Sequence, residues 1–458
     1  MVCESNSGTK NPKIVILGGG LAGISAALSL LDKGCEVTLV ERRPFLGGRA
    51  FSFQDPETGL EVDNGQHVFL GCCIYYIEYL KLIGSYANTH LQDGMNIEVV
   101  SKSKKGSLRS RPFLGRLHLL PAFLKYPHLS LKDKVFAVYC LLKIKFTDRS
   151  NQSGLDDESA YDWFRRNRQS ERVINNLWNV IILPALNDSV RNVSADMALM
   201  VLQEGILSTP AASSVGYSRV GLTSLNGDPA VGLIEAKGGN IRFSVGVRGF
   251  NICNSLVTGV VLSDGATIEA DVYLSALPHR VLQRLFAEVP DLEDIVSNLG
   301  VLEEAPIIGI HFWYDRQIMD EDFLAFIDSP VQFVFNKNTN EDIAEDSNQY
   351  VCISISGAWE YIDVPKDDLI EMFTCEMTRL FPRAREAVVV RALVVKERGA
   401  TVRCMPGHAK FRPGQATPVP NLFLAGDWTD TGWPATMEGA VRSGILAAGQ
   451  ILGSCDRI

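Results

Sequence analysis

The start of the chain alternates between apolar runs and a glycine-rich break. Residues 14–17 (Ile-Val-Ile-Leu) and 35–40 (Cys-Glu-Val-Thr-Leu-Val) are largely apolar, which favours strands buried in a sheet. Between them, a stretch rich in Ala, Leu and Ile follows three consecutive glycines and favours a buried helix. The pattern therefore predicts a strand–helix–strand unit, the building block of a parallel sheet.

Similar patterns recur further along the chain. Residues 421–427 (Asn-Leu-Phe-Leu-Ala-Gly-Asp) indicate a buried strand that ends in a Gly-Asp turn. Residues 433–444 then open a helix, with Pro434 in a first turn that does not need its missing N–H. In between, residues 257–265 predict a hairpin with an Asp-Gly turn, and residues 270–278 predict a further strand.

These elements predict an α/β protein whose two domains are interleaved along the chain. The first is a Rossmann-like nucleotide-binding domain made of residues 12–95, 230–300 and 405–458. The second is a substrate-binding domain, a mixed sheet with helices, made of residues 96–229 and 301–404. Residues 1–11 are polar and predict a flexible tail.

Composition limits the class of protein. The 458 residues are 46% hydrophobic and 21% charged, which fits a globular protein of two domains. No apolar run reaches the roughly 18 residues of a membrane span, and the first residues lack the apolar stretch of a signal peptide. The ten cysteines show no C-x-x-C spacing, so we expect reduced thiols, no metal site and a cytoplasmic protein.

Charge is distributed unevenly. The net charge is −9, yet residues 102–149 hold 12 Lys and Arg against two acidic residues, so this segment carries +10. Its basic residues are interleaved with Leu, Phe, Val and Tyr, which favours helices lying on an anionic membrane surface, with the protein peripheral to the bilayer. The alternative is a helical cap with solvated charges. Binding of nucleic acid is disfavoured, because the rest of the chain is acidic.

The glycine-rich break carries the strongest chemical signal. Gly18, Gly20 and Gly23 have the G-x-G-x-x-G spacing between a predicted strand and helix. The first allows the tight turn, the second a close approach of a pyrophosphate, and the third close packing of helix and strand. Glu41 ends the next strand about 20 residues further on, where a carboxylate accepts the ribose hydroxyls of a dinucleotide.

The segment after Glu41, Arg42-Arg-Pro-Phe-Leu-Gly-Gly-Arg49, resembles the flavoprotein amine oxidase superfamily, which includes monoamine oxidases and carotenoid desaturases. The Gly426-Asp427 turn and the helix after it resemble the second FAD element of that superfamily. The resemblance implies that FAD is the cofactor and that both ends of the chain meet around it. The residues it implicates in FAD binding are Gly18, Gly20, Leu21, Ala22, Gly23, Glu41, Arg42, Gly48, Arg49, Gly65, Gln66, Val247, Gly426, Asp427, Thr436 and Met437. Glu438 is also expected to serve the cofactor.

A closer resemblance is carried by Val62-Asp-Asn-Gly-Gln-His67. This stretch is similar to the hydroxysqualene dehydroxylases of hopanoid synthesis, as are residues 183–187, 219–225, 311–316 and 328–335. The resemblance implies a long-chain isoprenoid substrate and reductive removal of an allylic hydroxyl from hydroxysqualene, giving squalene. Trp178, Phe312, Trp313, Phe333 and Phe335 are candidates to line the apolar tunnel that such a substrate needs, or else they are ordinary core residues.

Reductive dehydroxylation needs a proton donor, because hydroxide is a poor leaving group. His67 titrates near neutrality and is the candidate donor, with Asp63 as the residue that positions it. The alternative is that residues 63–65 form an ordinary turn and that His67 only packs.

Other functions remain open. A carotenoid (phytoene-type) desaturase needs the same fold, tunnel and membrane contact, but removes hydride from a polyene. A flavin-containing protein that only handles lipid is a non-catalytic alternative. An amine oxidase is disfavoured, since neither a flavin-facing lysine nor an aromatic cage is evident in the sequence. The electron donor is not identified, because a second glycine fingerprint for NAD(P)H is not found.

Overall fold

The computed structural model of the chain describes residues 11–57, 59–150, 154–339 and 348–455. The predicted tail therefore lies, apart from Asn11, outside the described residues. The strands are β1 (Lys13–Leu17), β2 (Glu36–Val40), β3 (Ser52–Gln54), β4 (Glu61–Asp63), β5 (Val68–Leu70), β6 (Thr89–Leu91), β7 (Asn96–Val100), β8 (Lys105–Arg109), β9 (Val215–Ser218), β10 (Asn240–Arg242), β11 (Val247–Cys253), β12 (Leu256–Leu262), β13 (Thr267–Ile268), β14 (Val272–Ser275), β15 (Glu304–Tyr314), β16 (Phe323–Phe326), β17 (Phe333–Asn336), β18 (Gln349–Ser356), β19 (Val389–Val402) and β20 (Leu422–Leu424).

The α-helices are α1 (Leu21–Leu31), α2 (Ile74–Leu82), α3 (Leu120–Lys125), α4 (Leu131–Phe146), α5 (Ala160–Arg166), α6 (Glu171–Val173), α7 (Asn179–Leu186), α8 (Ala195–Met200), α9 (Leu222–Asn226), α10 (Asp228–Ala236), α11 (His279–Leu285), α12 (Glu293–Val301), α13 (Lys366–Leu380) and α14 (Met437–Cys455). Two π-helical turns, Ile174–Trp178 and Val201–Ile206, continue α6 and α8. Short 3₁₀ turns are Tyr86–Asn88, Pro112–Leu117, Pro290–Leu292, Lys337–Thr339, Pro382–Arg385 and Ala409–Phe411. Within the described ranges, no helix is both long and apolar enough to span a bilayer.

A five-stranded parallel sheet forms the nucleotide-binding part, in the order β10-β2-β1-β14-β20. Because the strands are parallel, their carboxyl ends lie at one edge, where such sheets bind their ligands. Helices α1 and α14 pack closely beside this sheet, since a Cβ on Gly444 would lie 2.2 Å from the carbonyl oxygen of Ala22. The hydroxyl of Ser25 also donates to the carbonyl of Val441 at 3.1 Å.

A three-stranded antiparallel sheet, β11-β12-β13, continues from this domain. The predicted hairpin is confirmed: β12 and β13 are joined through a turn in which Gly265 has a φ of +85°. Val260 pairs with Ile268 across the hairpin. Strands β3 and β4 form a short antiparallel pair of their own, and β4 ends at Asp63 in the region of the candidate site.

The second large sheet has seven strands in the order β19-β15-β18-β17-β16-β7-β8. Strands β16 and β7 run parallel, whereas the other neighbouring pairs are antiparallel, so the sheet is mixed as predicted. Helix α13 covers one face through Leu369, Phe373 and Met377, which are fully buried. The α/β class, with a Rossmann-like domain and a mixed sheet in the substrate domain, is therefore confirmed.

A small sheet joins the two predicted domains. Its order is β5-β9-β6, so that β9, which we assigned to the substrate domain, pairs with two strands assigned to the nucleotide-binding domain. The close contact is allowed by Gly216, where a Cβ would lie 2.5 Å from the ring of Phe69. Helices α3 to α8 form a lobe beside this sheet with an extended apolar core.

Candidate functional site

The first glycine turn lies at the carboxyl edge of the parallel sheet. Gly18, with a φ of +106°, leaves β1, and Gly20 precedes α1 in an extended conformation without a side-chain cap. The first backbone hydrogen bond of the helix runs from Ile24 N to Gly20 O at 2.9 Å. The N–H groups of Leu21 and Ala22, in the turn before it, are therefore available to an anion at the positive end of the helix dipole.

Gly23 shows the close packing that its position predicts. A Cβ on this residue would lie 2.0 Å from the carbonyl oxygen of Gly18 and 3.3 Å from the Cβ of Ala276. A side chain here would therefore push α1 away from β1 and β14.

Glu41 follows β2 and is buried at the same edge. Its Oε2 accepts a hydrogen bond from Gly19 N at 2.7 Å, and its Oε1 accepts one from Arg43 N at 2.8 Å. Each carboxylate oxygen can accept a second bond, so both remain able to bind ribose hydroxyls. Val245 N donates to the carbonyl of Glu41 at 3.0 Å, which places Val247, at the start of β11, near this end of the site.

The Gly47-Gly48 turn contacts the first glycine turn directly. Gly47 N donates to Gly19 O at 2.9 Å, and a Cβ on Gly48 would lie 2.8 Å from the Cα of Gly20. Of the two arginines before this turn, Arg42 is exposed, whereas Arg43 donates to Gly48 O at 2.8 Å. The Arg43 guanidinium also lies 4.2 Å from the ring centre of Phe51. The family resemblance pointed to Arg42, and nothing in the sequence distinguished this role of its neighbour Arg43.

Arg49 and Asp427 join the two ends of the chain. Asp427 follows β20 after Gly426, and its Oδ1 accepts a hydrogen bond from the Arg49 guanidinium. Burial disfavours the charged guanidinium, but the neighbouring carboxylate outweighs burial and raises the pKa of Arg49. The predicted meeting of the two elements is present in the structure.

Helix α14 begins later than predicted. Its first residue is Met437, so Pro434 lies before the helix rather than in its first turn. Thr436 precedes the helix, and its hydroxyl accepts a hydrogen bond from Gly439 N at 3.2 Å, the usual N-cap interaction. Threonine is a favoured N-cap residue and proline is not, which explains the shift. The N–H groups near Thr436 and Met437 remain available to a ligand.

Glu438, which we expected to serve the cofactor, is hydrogen-bonded to other parts of the protein. Its carboxylate accepts hydrogen bonds from Tyr76 N at 2.7 Å and Tyr75 N at 3.2 Å, in the first turn of α2. It also accepts one from Arg442 at 2.7 Å. The side chain therefore caps a neighbouring helix, and this use of its oxygens argues against direct contact with a cofactor.

The segment from Asp63 to His67 connects β4 to β5 beside Arg49. Asn64 Nδ2 donates to Arg49 O at 2.9 Å, and Gly65 and Gln66 follow it. His67 Nδ1 lies 2.9 Å from Gly65 O. Because a carbonyl only accepts, Nδ1 carries the proton, and Nε2 of the neutral imidazole has a free lone pair. Burial lowers the pKa of His67, which favours this neutral form.

Asp63 does not position His67 in the predicted way. Its Oδ1 accepts from Ser52 Oγ at 2.8 Å and Leu222 N at 3.0 Å, and its Oδ2 accepts from Lys337 Nζ at 2.9 Å. Within the described residues, no hydrogen bond joins the carboxylate to the imidazole. Burial disfavours the charged carboxylate, but Lys337 outweighs burial and lowers the pKa of Asp63.

Lys337 is a residue that the sequence analysis missed. It follows β17 and is almost fully buried. Besides Asp63, its Nζ donates to Gln66 Oε1 at 3.3 Å. The only signal in the sequence is a lysine directly after an apolar strand, which does not distinguish it from a surface lysine at a strand end.

The aromatic candidates separate into two groups. Trp178 stacks on Phe164 inside the helical lobe, and Phe312 lies in the core between the seven-stranded sheet and α13, so both pack as core residues. Trp313 stacks on Tyr350 with ring centres 4.4 Å apart. Phe333 and Phe335, on one face of β17, pack against the helical lobe and remain the candidates nearest to Lys337.

The residues present fit a dinucleotide. The two glycine turns form a cradle in which a Cβ on Gly20 would meet only the Cα of Gly48, at 3.7 Å. One helix N-terminus opens onto this cradle, and a second belongs to α14. The carboxylate of Glu41 lies beside the first. This is the donor and acceptor set that a pyrophosphate and a ribose need.

Comparison with known proteins agrees with this geometry. The family described as flavin containing amine oxidoreductase matches residues 21–452. The chain is 27% identical to the 15-cis-phytoene desaturase of Synechococcus elongatus, covering 97% of each protein. It is 28% identical to the zeta-carotene desaturase of Zea mays, covering 97% of this chain and 84% of the relative. The solved structure of cyclohexylamine oxidase from Brevibacterium oxydans has the same fold, with a TM-score of 0.71 and 17% identity over 98% of this chain and 100% of that one.

Proposed function

The chain belongs to the flavin containing amine oxidoreductase family, and from this premise we propose that it is an FAD-dependent desaturase of a long-chain isoprenoid polyene. FAD is its cofactor. The observation that carries the proposal is similarity over 97% of the chain to enzymes named for desaturation of phytoene and zeta-carotene.

Desaturation breaks two C–H bonds and forms one C=C bond. One hydrogen leaves with its electron pair and the other leaves as a proton. The bound flavin supplies the acceptor for the hydride. The chain's own residues hold that acceptor through the N–H groups of α1 and the carboxylate of Glu41, and the N-terminus of α14 stabilises negative charge beside Thr436 and Met437.

His67 provides the group that distinguishes desaturation from dehydroxylation. Its Nδ1–H is engaged with Gly65 O, its Nε2 is unprotonated, and burial lowers its pKa. Such an imidazole has a free lone pair on Nε2 for a proton and no proton there to give to a leaving hydroxyl, although its lowered pKa makes it a weak base. Desaturation needs a proton acceptor, whereas reduction of hydroxysqualene needs a donor, so this geometry favours desaturation. Hydroxysqualene dehydroxylation is the second candidate, carried by the resemblance of residues 62–67.

The test compares both substrates on the FAD-loaded protein. We expect phytoene, added without oxygen, to bleach the flavin absorbance near ~450 nm and to give a product with one more double bond. His67→Gln should slow this bleaching about a hundredfold. Consumption of hydroxysqualene by the reduced protein, without reaction of phytoene, would replace the proposal by the dehydroxylase. Reaction of neither substrate would favour a non-catalytic lipid-handling protein.

We also propose that residues 102–149 contact an anionic membrane surface. On α4, the residues Leu131, Val135, Tyr139, Leu142 and Phe146 form one exposed stripe at helical spacing, whereas the opposite face is buried. Leu131 is 83% and Phe146 77% exposed, and Phe113, in the preceding 3₁₀ turn, is 83% exposed. Lys132, Lys143 and Lys145 flank the stripe and are exposed.

Basic side chains beside an exposed apolar stripe are suited to the negatively charged headgroups and the upper acyl region of a bilayer. The lipid surface would also be the source of an isoprenoid substrate. A solvated cap does not account for large apolar side chains that point into water along a whole helix.

A further inference from the structure

A buried ion pair connects the seven-stranded sheet to the short β3-β4 pair beside the candidate site. Lys337 lies directly after β17 of the seven-stranded sheet, and Asp63 ends β4 of the short hairpin. Their Nζ and Oδ2 atoms are 2.9 Å apart, and each side chain is 5% exposed. Removing two charges from water is costly, so a pair of this kind persists where other groups complete its hydrogen bonds.

Those other hydrogen bonds are present. Asp63 accepts from Ser52 and from Leu222 N, and Lys337 donates to Gln66 as well as to Asp63. Lys337 also borders a small cavity beside Gln66, Tyr217 and Phe335, whose volume of about 10 Å³ is the least that a single water molecule needs.

Two histidines, the half-buried His67 and the buried His311, are affected by the charges of this pair. His67 follows Asp63 in the same segment, and His311 is on β15, with its Nδ1 2.7 Å from the hydroxyl of Tyr350. Burial is the main reason that the pKa of each imidazole is lowered; in addition, the carboxylate of Asp63 attracts a proton to each ring, whereas the ammonium of Lys337 repels it. Glu397, on β19, also attracts a proton to His67.

We propose that Lys337 is a positioning residue, whose charge offsets that of Asp63 so that the partly buried His67 stays neutral, with a free Nε2, beside the cofactor. Without the ammonium, the buried carboxylate would be an uncompensated negative charge a few residues from the imidazole. The hydrogen bond that Lys337 donates to Gln66 also holds in place the segment that carries His67. The inference rests on the proposed function, in which Nε2 accepts the substrate proton.

The experiment follows the imidazole itself rather than turnover. The FAD-loaded protein is labelled with ¹³C in its seven histidines, and His67 is identified by the signal that His67→Gln removes. Titration of that signal is then compared in the wild type, Lys337→Met, Asp63→Asn and the double variant. Lys81→Met, which removes a lysine from an exposed pair with Glu78, is the matched control.

We expect Lys337→Met to raise the titration midpoint of His67 by about one pH unit and Asp63→Asn to lower it. The double variant, neutral at both positions, should return towards the wild-type midpoint, and Lys81→Met should not change it. If Lys337→Met does not fold, the shift in Asp63→Asn and its reversal in the double variant decide the question. An unchanged midpoint in the folded variants would overturn the inference. Failure of the proposed function is a separate result, since it appears as absence of turnover with a normal titration.

Discussion

The guanidinium of Arg49 is hydrogen-bonded to the carboxylate of Asp427 across a sequence separation of 378 residues. Arg49 follows the Gly47-Gly48 turn, and Asp427 follows β20, the last strand of the parallel sheet. The pair therefore fastens together the two cofactor elements that come from opposite ends of the chain. The side chain of Asp427 is 7% exposed and that of Arg49 is 39% exposed, so water reaches the ion pair mainly at the arginine.

We predict that Arg49→Gln weakens FAD binding about tenfold. Loss of the guanidinium removes roughly 1–2 kcal/mol of the interaction that holds the two cofactor elements together. This energy is smaller than for a fully buried ion pair because Arg49 is partly exposed. The measurement is FAD affinity of the apoprotein by flavin fluorescence. Arg398→Gln is the control, because it breaks an ion pair with Asp363 that is exposed on both sides. Equal losses in the two variants would contradict the prediction.

Gly23→Ala is expected to abolish or strongly reduce flavin binding. The added methyl group would lie 2.0 Å from the carbonyl oxygen of Gly18, a backbone atom that cannot move without displacing α1 from the sheet. Flavin content of the purified protein gives the readout. Gly232→Ala on α10 is the matched control, since a Cβ there meets nothing within 4 Å and alanine favours a helix. A Gly23→Ala protein with full flavin content would show that the helix does not need this close packing.

The contrast between Gly23 and Lys337 shows what the sequence could predict. Gly23 and Glu41 act within one strand–helix–strand unit, so their spacing along the chain determines their spacing in the fold. Lys337 and Asp63 are 274 residues apart in the sequence. Arg42 and Arg43 are adjacent residues of the same type, and it is the side chain of Arg43 that lies over Phe51. Such contacts depend on how the sheets pack together, and a single sequence does not encode that in a local pattern.

Side-chain roles at helix starts and in the core were also hard to predict. Pro434 suits a first helical turn in general, but Thr436 can cap the helix with its hydroxyl and sets the start instead. Trp178 is as large and apolar as a tunnel-lining residue, yet its indole donates to Gln169 inside the lobe. Hydrophobicity predicts that such residues are buried, and it does not say whether they face a channel or the core.

Stability should fall as the solution becomes acidic, in part because of His311. Burial lowers the pKa of this imidazole to about 4, from about 6.5 in an unfolded chain. Between these values the unfolded state binds the proton and the folded state does not, so the free energy of unfolding decreases as pH falls from about 6.5 to about 4. The full stability is reached above about pH 6.5, and the loss caused by His311 at low pH amounts to at most about 3 kcal/mol.

The measurement is chemical denaturation at a series of pH values in the wild type and in His311→Gln. The variant should lose less stability than the wild type between about pH 6.5 and pH 4, because it no longer has this titrating group. The slope of unfolding free energy against pH must be compared between the two proteins, because other groups also titrate in this range. Burial raises the pKa of Glu61 and Glu304, and protonation of these carboxyl groups favours the folded state as pH falls. Parallel curves for the two proteins would contradict the assignment.

The exposed stripe of α4 should determine membrane binding. Replacing Leu131, Val135 and Phe146 by serine removes apolar surface worth several kcal/mol of transfer free energy, so binding to vesicles with anionic lipid should fall by at least about a hundredfold. Sedimentation with vesicles measures this, and high salt should weaken binding of the wild type because exposed lysines contribute. Serine at Leu256, Val388 and Val390, which are exposed apolar residues outside the basic segment, is the control. Flavin content confirms that each protein is folded. If the stripe variant still sediments like the wild type, or if the control loses binding equally, then α4 does not form the lipid contact and the substrate must reach the site from solution or from a carrier.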